Sequence, residues 1–480
     1  MKSLELRAGT NVFWLFLSDI LLRGSIFIGT LYLARVLGTK EFGIFSFALA
    51  IANYLWLAVD LGIARYGTRE AAGRSGDKNE LLDELNSLRF FISLFIYSAF
   101  FLVLTFLLSS TNNLIYLAAG LYVVSFALNP DWFIRGIEEM KYLVVGNFIT
   151  AVFFLSGTLF FVTGPQDTAL ALLFWSVSFL VSGLCTLILI RRYLGHKFAL
   201  VVRYQVWKNH LKNSIHFALS GSLIRINSFL TIILLGFLVL PQDLGIFSAP
   251  HRLILTIVNL NFIIPKAFYP ILSSQRKDPG EFRVSNDKFY SVLMLTGLPI
   301  GLFGYYFATD IIGLLYGKLY FESTGILKIL IWQVPITFLS IGIINSLFAL
   351  GLQKINTYAL GAGVLIKLVF CLMLIPVFGI YGAAVSDLVG AVCVLIFLVI
   401  FFSFKVYRNN FINKDFFKIV MSCLIVLFLN YSVLAETAFI FKIILSAFLY
   451  VVFIFIFGVI KKETVFKIFK DLRSGGKNPS

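Results

Sequence analysis

The sequence predicts an all-α polytopic membrane protein with about 14 transmembrane helices, built as two parallel six-helix lobes plus two C-terminal helices. Three observations lead to this fold class. Hydrophobic residues make up 59% of the 480 residues and charged residues only 13%, which is too little charge for the surface of a soluble domain. Apolar runs of about 18 to 25 residues follow one another, each long enough to cross a bilayer. The first half of the chain also repeats in the second.

The predicted helices are the apolar runs, and mostly short polar connections separate them. The first run is too long for the apolar part of a signal peptide, and no small-residue cleavage site follows it. We therefore expect no cleavable signal peptide. The predicted helices span residues 11–36, 42–65, 89–109, 114–133, 143–163, 169–190, 214–240, 245–268, 289–308, 325–350, 357–376, 380–403, 418–435 and 438–460.

The basic residues lie mainly on one side of the predicted membrane. If the N-terminus is cytoplasmic, the inner connections and both tails hold 30 of the 40 Lys and Arg residues. Basic residues favour the cytoplasmic side, so both termini are predicted to be cytoplasmic. This asymmetry accounts for the net charge of +16 without a nucleic-acid partner. The basic connections also suit anionic headgroups of membrane lipids.

A seven-residue pattern occurs twice and organises the rest of the chain. Residues 17–23 read LSDILLR, and residues 219–225 read LSGSLIR. The sequence GIFS follows in the same register at 43–46 and at 245–248, so both matches share an offset of 202 residues. Six helices separate the two copies, and an even number leaves both in the same orientation across the membrane. The pattern therefore predicts parallel repeats related by an axis along the membrane normal.

The repeat sets the predicted domain boundaries. Helices 1–6 form one lobe, helices 7–12 form the other, and helices 13 and 14 lie outside the repeat. The joint between the lobes is basic, contains Trp207, and is predicted to lie partly in the inner interface as a passive linker, with a hinge as the alternative. The predicted parts are the N-lobe at 1–190, the linker at 191–213, the C-lobe at 214–404, and helices 13 and 14 with a basic cytoplasmic tail at 405–480.

The cysteines do not indicate a metal site or disulfides. All four lie inside apolar runs and show no CxxC spacing, so we interpret them as small core residues. The sequence suggests no metal and no cofactor. These cysteines are Cys185, Cys371, Cys393 and Cys423.

Three stretches resemble a known family of transporters. Residues 34–72 contain an ARVLG turn, an FGIFS start of helix 2, and a DLG sequence near its end that Arg69 and Glu70 follow. Residues 129–148 read NPDWFIRGIEEMKYLVVGNF, and residues 378–390 read FGIYGAAVSDLVG. These stretches resemble the polysaccharide flippases, which are the O-antigen and capsule repeat-unit transporters of the multidrug/oligosaccharidyl-lipid/polysaccharide exporter superfamily.

The resemblance spans the length of the chain and implies both a fold and a function. The implied fold has two six-helix bundles around a central cavity that opens alternately to each side. The implied function is the translocation of an undecaprenyl-pyrophosphate-linked oligosaccharide across the bacterial inner membrane, beside a polysaccharide polymerase as partner. The resemblance alone supplies this substrate, because neither composition nor spacing identifies it.

Ionisable residues inside the apolar runs are the candidate substrate-binding residues. A charge at mid-membrane costs roughly 2.5–3.5 kcal/mol on insertion scales, so its presence needs a reason. Arg23, Arg225 and Lys367 are predicted near the midplane, and Arg252 about two turns from the outer end of helix 8. We expect these four side chains to line the cavity and attract the pyrophosphate or acidic sugars. Arginine suits this role because it keeps its charge and offers a planar fork of donors.

Two of these arginines occupy equivalent places but have different neighbours. Asp19 lies one helical turn before Arg23, so an internal ion pair is the alternative for that arginine. The equivalent position before Arg225 is Gly221. A structural role for Arg225 would therefore need a partner from another helix.

Three carboxylates are candidates for ion coupling. If protons drive transport, one of Asp387, Asp60 and Asp19 must change its protonation state, and a carboxylate in apolar surroundings can do so near neutral pH. Asp387 is preferred by its depth in helix 12. Hydrogen bonding at a helix end is the alternative for Asp60, and the ion pair with Arg23 is the alternative for Asp19.

Two other functions remain as alternatives. A multidrug or cation antiporter of the same fold needs an acidic cavity, whereas the deep charges here are mainly basic. A membrane polysaccharide polymerase or ligase usually needs a large outer loop with catalytic residues, but the largest predicted outer connection, 309–324, holds no histidine. The chain has no P-loop either. We therefore expect a transporter that is not an enzyme.

Overall fold

The computed structural model describes residues 2–73, 78–106, 113–195, 199–261, 263–407, 414–432 and 438–459. Within these ranges the regular structure is helical and includes no strand, which confirms the predicted all-α class. The basic tail predicted beyond helix 14, at 461–480, lies outside the described residues.

The helices follow one another along the chain with short connections, two of which contain single 3₁₀ turns at Pro165–Asp167 and Lys318–Tyr320. The α-helices are α1 Lys2–Asp60, α2 Ile63–Gly73, α3 Lys78–Phe106, α4 Asn113–Ala127, α5 Asp131–Gly136, α6 Lys141–Phe161, α7 Thr168–Leu194, α8 Tyr204–Leu238, α9 Pro241–Leu260, α10 Ile263–Ser274, α11 Pro279–Tyr306, α12 Ala308–Leu315, α13 Ser323–Leu330, α14 Gln333–Ala349, α15 Gln353–Lys405, α16 Lys414–Ser432 and α17 Phe439–Ile456.

Among the described residues, 12 helical segments are long and apolar enough to cross a membrane. Two of them are unusually long because each contains two helices that meet at a glycine. Gly38 interrupts α1 with φ 74°, and Gly379 interrupts α15 with φ 54°. These glycines lie in the connections predicted between helices 1 and 2 and between helices 11 and 12. Counting each long segment as two helices agrees with the predicted number of about 14.

Local sequence accounts for several helix ends. Asp278 caps α11, because its carboxylate accepts hydrogen bonds from the backbone N–H groups of Gly280 and Glu281 at 3.0 and 3.1 Å. Pro279 then occupies the first helical position, where its missing N–H has no cost. At the end of α7, Gly195 adopts φ 65°, and two arginines lie in the last turn, where cations interact favourably with the negative end of the helix dipole.

Helix α8 begins at Tyr204, ten residues before the predicted start of helix 7 at 214. The second half of the predicted linker is therefore the first part of this helix. Trp207 and Leu211 lie one turn apart and pack against a buried cluster formed by α2, α3, α5, α6 and α7. Because that packing buries one face of a basic, polar segment, the segment is helical although its composition suggested a connection.

The described chain divides into two compact units. The first, unit 1, comprises Met1–Thr256, Leu315–Ile326 and Leu360–Gly390. It holds α1 to α8, most of α9, the segment 315–326 and the middle of α15. All seven residues predicted for substrate binding or ion coupling belong to this unit. The predicted lobe boundaries rest on sequence duplication, which this division does not test, so they stay a prediction.

The second, unit 2, comprises Ile257–Leu314, Leu327–Ala359 and Ala391–Ser480. Polar side chains connect its helices. In α11, the Asn286 side chain accepts a hydrogen bond from Ser346 of α14 at 2.5 Å. Tyr450 of α17 donates to the carbonyl oxygen of Leu295 in α11 at 2.8 Å. Helices α16 and α17, which correspond to predicted helices 13 and 14, thus pack as part of this unit.

Candidate functional site

Three arginines line one face of α8 in unit 1. Phe217, Gly221 and Arg225 follow one another at intervals of four residues, so they lie on the same face in three successive turns. The guanidinium of Arg69 lies over the ring of Phe217, 5.0 Å from its centroid. The guanidinium carbon of Arg65 lies 3.4 Å from where a Cβ on Gly221 would be. We call Arg69, Arg65 and Arg225 the arginine ladder.

Arg225 contacts the first repeat copy. Its Nη1 donates a hydrogen bond to Oδ1 of Asn53, in the second half of α1, at 3.2 Å. Its guanidinium also interacts with the hydroxyl of Tyr122 in α4. Next to it, the Tyr54 hydroxyl donates to the carbonyl oxygen of Ile226 at 3.2 Å. The partners of Arg225 are thus neutral side chains from other helices, which leave its positive charge uncompensated by these contacts.

The ladder passes from exposed to partly buried surroundings. Arg69 and Arg65 are exposed, whereas Arg225 is half-buried. Arg69 also forms an ion pair with its neighbour Glu70 at 3.0 Å. Successive guanidinium groups offer planar forks of donors, which match the oxygens of phosphate groups. Chemically, the ladder can hold an anion at several heights along α8.

The difference between the two repeat copies has a structural consequence. Gly221 stands where the first copy has Asp19, and the side chain of Arg65 lies against it. A larger residue at 221 would meet this guanidinium. Sequence reasoning counted Arg65 and Arg69 only as cytoplasmic charges, because both lie close to the predicted end of helix 2. The available signal was on α8, where Phe217, Gly221 and Arg225 recur at the four-residue spacing of one helix face.

Arg23 and Asp19 lie half-buried in α1, outside the arginine ladder. In the ladder, Arg225 is therefore joined by two arginines that the sequence did not single out. Its counterpart Arg23 is not a member of the ladder. The placement of Arg23 and Arg225 in one cavity stays a prediction, as does the pairing of Arg23 with Asp19.

A second polar cluster lies buried between α8, α9 and the two halves of α15. Lys367 and Asp387 are each only 4% exposed, and Lys367 Nζ lies 2.5 Å from Asp387 Oδ1. Lys367 also donates to the backbone carbonyl oxygen of Asn227 at 2.7 Å. Thr231 of α8 donates to the same Oδ1 of Asp387. The predictions assigned Lys367 to the substrate and Asp387 to ion coupling, whereas the structure joins both in one ion pair.

His251 completes this cluster and was missed by sequence reasoning. Its Nε2 lies 3.5 Å from Oδ2 of Asp387, and the residue is 4% exposed. The imidazole stacks on the ring of Phe247 with centroids 5.4 Å apart. No motif marks this histidine, because its contact with Asp387 depends on the packing of α9 against α15. The only local signal was its position inside an apolar run.

Arg252 lies over two aromatic rings of the first repeat copy. Its guanidinium is 5.7 Å from the ring centroid of Phe42 and 5.6 Å from that of Phe45. Such cation–π contacts contribute about 0.5–2 kcal/mol, more where they are desolvated. The structure thus gives Arg252 an internal partner, and its predicted role in substrate binding stays a prediction.

The two GIFS copies meet in a reciprocal backbone contact. A Cβ on Gly43 would overlap the carbonyl oxygen of Pro241, and a Cβ on Gly245 would overlap the carbonyl oxygen of Thr39. Residues 39 and 241, like residues 43 and 245, are related by the offset of 202. Each glycine thus contacts the equivalent carbonyl of the other copy. This reciprocity is what a local two-fold axis between the repeat copies requires.

The segment 315–326 packs on these two helices. The Tyr316 hydroxyl donates to the carbonyl oxygen of Ala249 at 2.8 Å, and the Tyr320 hydroxyl donates to that of Ala34 at 2.9 Å. Burial raises the pKa of both phenols, so both remain neutral donors. Arg35 Nε in turn donates to the carbonyl oxygen of Leu315 at 2.8 Å. The segment therefore connects both repeat copies.

Asp60 is the last residue of α1, three residues before α2 begins. Its Oδ1 accepts a hydrogen bond from the backbone N–H of Ala64 at 3.3 Å, so it caps α2. Gly62 follows with φ 79°. A Cβ on this glycine would overlap the backbone of α8 at Ser214 and Ala218, so the two helices touch closely here. The helix-end alternative for Asp60 is thus observed, and its role in ion coupling stays a prediction.

The NPDW stretch surrounds a buried arginine. Arg89 of α3 donates to the carbonyl oxygens of Asn129 and Phe126 at 3.1 and 3.3 Å, where α4 ends. Its guanidinium lies 5.0 Å from the ring centroid of Trp56. Trp132 donates from its indole nitrogen to Oδ1 of Asn86 at 3.0 Å. Arg89 therefore closes the C-terminal end of α4, which stops at Ala127, three residues before Pro130.

The predicted linker is held to α3 by a buried carboxylate. Glu84 accepts from Arg203 Nη1 at 3.1 Å and lies 3.1 Å from His210 Nε2. The other ring nitrogen of His210 lies 3.1 Å from the hydroxyl of Tyr66. Arg203 also pairs with Glu80. The linker thus carries specific contacts where a passive connection was predicted. Among the described residues, no group of three or more His, Cys, Asp or Glu side chains could hold a metal ion.

Known proteins resemble this chain in sequence and in fold. Two relatives carry the name "Putative O-antigen transporter". The one from Escherichia coli (strain K12) is 27% identical over 51% of this chain and 59% of its own length. The one from Shigella flexneri is 24% identical over 74% of this chain and 88% of its own length. The chain thus spans less than two thirds of the E. coli relative.

Solved structures share the fold at low sequence identity. The lipid II flippase MurJ in an inward closed conformation matches with a TM-score of 0.73 at 16% identity, over 92% of this chain and 97% of that protein. A mutant of the Vibrio cholerae MATE transporter VcmN matches with a TM-score of 0.53 at 15% identity, over 85% and 98% of the two chains. These matches establish the fold.

A family model provides the assignment of the chain itself. It is described as polysaccharide biosynthesis protein and matches residues 8–275, which is more than half of the chain. The matched region includes both copies of the repeat motif, the arginine ladder and His251. This multi-pass membrane protein belongs to the polysaccharide biosynthesis protein family.

Proposed function

We propose that this protein translocates undecaprenyl-pyrophosphate-linked oligosaccharide repeat units across the bacterial inner membrane. Transport occurs by alternating access, with both termini in the cytoplasm and without catalysis by this chain. The headgroup crosses through a basic path while the polyprenyl tail stays in the lipid. A polysaccharide polymerase is the partner that consumes the translocated units.

The arginine ladder is the observation that supports this proposal. Three guanidinium groups follow one face of α8 through successive turns, and the two nearest the start of the helix are exposed. A charged group inside the membrane is costly and needs a compensating function. A pyrophosphate carries several negative oxygens, and each arginine can bind it through two parallel hydrogen bonds. The ladder therefore suits an anionic headgroup better than a cationic drug.

Arg225 is the residue that we assign to the headgroup within the membrane. It is half-buried, and it contacts the neutral side chains of Asn53 and Tyr122. A neutral amide and a phenol position the guanidinium without cancelling its charge. An approaching pyrophosphate can thus bind Arg225 without displacing a competing carboxylate from these two contacts. We further propose that Arg23 contributes from the equivalent helix of the first copy.

The reciprocal contact between Gly43 and Gly245 supports alternating access. Both glycines allow two helices from different repeat copies to touch through their backbones. The glycine contact itself involves no side chains, and its separation would also release Arg252 from the rings of Phe42 and Phe45. The substrate must bind the separated and the joined state differently if it is to shift their populations. We propose that this contact separates when the path opens on that side.

Surface polysaccharide in a strain lacking this gene tests the proposal. The strain is complemented with wild type, Arg225→Ala, Arg225→Lys or Arg65→Ala, each at matched membrane levels. Loss of a charge-assisted bond to the headgroup lowers export about tenfold or more for the alanine variants, and lysine restores part of it. Lys354→Ala, an exposed change at the start of α15, serves as the control.

Two outcomes would count against this function. Full export with both Arg225→Ala and Arg65→Ala would remove the ladder from the mechanism. Absence of polysaccharide even with wild type, together with resistance to cationic drugs, would favour the multidrug antiporter. Purified protein in vesicles provides the direct measurement, which is the appearance of a lipid-linked pyrophosphate oligosaccharide in the opposite leaflet.

A further inference from the structure

The buried cluster around Asp387 contains two polar atoms without a hydrogen-bond partner among the described residues, one on Asp387 and one on the neighbouring His251. Asp387 Oδ1 accepts from Lys367 and Thr231, so one carboxylate oxygen is fully used. Asp387 Oδ2 has no hydrogen-bond partner among the described residues, and neither has His251 Nδ1. Buried polar atoms without partners are rare and call for an explanation. The gap between Oδ2 and His251 Nε2 is 3.5 Å.

The proton count of the histidine explains this arrangement. A neutral imidazole carries one N–H, which heavy-atom positions do not locate. If that proton is on Nδ1, then Nε2 presents a lone pair to the negative Oδ2. If it is on Nε2, then Nδ1 is left as a buried acceptor without a partner. One added proton removes the first conflict, because it can sit between Oδ2 and Nε2 as a hydrogen bond.

We propose that Asp387 and His251 form a binding site for one transported proton, with Lys367 as a fixed counter-charge. The proton is received between Asp387 Oδ2 and His251 Nε2 and leaves from there in the other half of the cycle. No covalent bond other than this O–H or N–H bond forms or breaks. Water on either side of the membrane supplies and accepts the proton.

The charges around the site determine what proton binding does. Lys367 and Asp387 compensate each other, so the cluster is neutral before the proton enters. Lys367 and Cys371 face it from the first half of α15, and Arg252 is near His251 on α9. Thr231 from α8 is not titratable. Binding therefore adds an uncompensated positive charge in a buried place that already contains Arg252, which disfavours the packed arrangement.

Helix α9 connects the proton site to the contact between the repeat copies. His251 and Gly245 lie in the same helix, and Phe247, on which His251 stacks, belongs to the second GIFS copy. Pro250 interrupts the hydrogen bonding of this helix next to the histidine. A change of charge at His251 can thus shift α9 and weaken the packing of Gly245 on Thr39. This step rests on the proposed transport cycle, whereas proton binding itself does not.

Infrared difference spectroscopy of the purified full chain tests the site without any lipid substrate. The spectra are recorded during a pH titration and report the carbonyl stretch of protonated carboxyl groups and the bands of the imidazole ring. We expect wild type to show coupled carboxyl and imidazole changes in one titration step. His251→Gln abolishes the imidazole change that accompanies the carboxyl step and lowers the proton affinity of the site about tenfold, a shift of about one pH unit, because the glutamine amide donates to Oδ2 and stabilises the carboxylate.

Matched variants make the result specific. Asp387→Asn removes the carboxyl change of this step, and His216→Gln, which replaces an exposed histidine of α8, leaves the coupled carboxyl and imidazole step as in wild type. If Asp387→Asn does not fold, then His251→Gln decides alone. A titration midpoint unchanged by His251→Gln, or a carboxyl band that persists in folded Asp387→Asn, would overturn the proposal. Either result leaves the flippase function standing, and full export in the arginine variants would leave the proton site standing.

Discussion

Lys367 and Asp387 form a buried ion pair with 2.5 Å between Nζ and Oδ1, although they lie in different halves of a helix that changes direction at Gly379. The pair therefore fastens the first half of α15 to the second. Its geometry is supported by two further bonds, one from Lys367 to a backbone carbonyl and one from Thr231 to the carboxylate.

Removing one member of this pair should destabilise the protein more than removing both. Lys367→Met leaves a buried carboxylate without its counter-charge, which costs about 3–5 kcal/mol. The double variant Lys367→Met/Asp387→Leu replaces both charges with apolar groups and should recover most of that loss. Thermal unfolding of the purified variants in detergent measures the difference. Equal destabilisation by the single and double variants would show that the pair is not coupled.

A side chain at Gly245 should prevent the close approach of the two repeat copies. In Gly245→Ala, the new Cβ overlaps the carbonyl oxygen of Thr39, so the helices must separate. Overpacking of this kind costs about 1–3 kcal/mol. The expected results are a lower unfolding temperature and reduced polysaccharide export.

Gly24→Ala is the matched control for this prediction. Gly24 also lies in a repeat helix, but an added Cβ there meets no atom within 4 Å. This variant should export normally and unfold at the wild-type temperature or slightly above it, since alanine favours a helix more than glycine does. The prediction fails if the two alanine variants behave alike.

Glu84 should contribute more to stability than Glu80, although both accept from Arg203 in the linker. The Glu84 side chain is only 6% exposed and also contacts His210, whereas the Glu80 side chain is 50% exposed. Glu84→Gln should cost about 1.5–3 kcal/mol through weakened charge-assisted bonds. Glu80→Gln should cost at most about 1 kcal/mol. Hydrogen exchange of residues 199–213 checks whether the linker opens in the first variant only.

Arg89 should not tolerate lysine. Two of its guanidinium nitrogens serve the separate carbonyl oxygens of Asn129 and Phe126, and the ring face of Trp56 lies beside it. A single ammonium cannot reproduce this fork, so at least one carbonyl loses its partner, at about 1–3 kcal/mol. We expect Arg89→Lys to lower the unfolding temperature clearly. An unfolding temperature within experimental error of wild type would contradict this assignment.

The duplication that the sequence indicates has a local counterpart in the structure. The shared offset of the two GIFS copies reappears in space as the reciprocal contact of Gly43 and Gly245. It could be found in advance because a repeat preserves register along the chain. The pairing of these two glycines could not be found, because register does not say which faces of the copies meet.

The candidate site was predicted only in part, for a similar reason. The sequence singled out Arg225, Lys367 and Asp387 because charges are rare in apolar runs. It did not reveal Arg65, Arg69 or His251, since exposed arginines near a helix end and a lone histidine have ordinary explanations. Only the packing of α2 on α8 and of α9 on α15 distinguishes them.

The sequence by itself determined the all-α membrane fold, the number of helices, the repeat and the charged positions within the apolar runs. These features depend on composition, periodicity and register, which are local properties of the chain. Tertiary structure alone decided which charges meet. It joined Lys367 to Asp387 across the bend in α15 and set the arginine ladder on one face of α8, because partners distant in sequence become neighbours only when the helices pack.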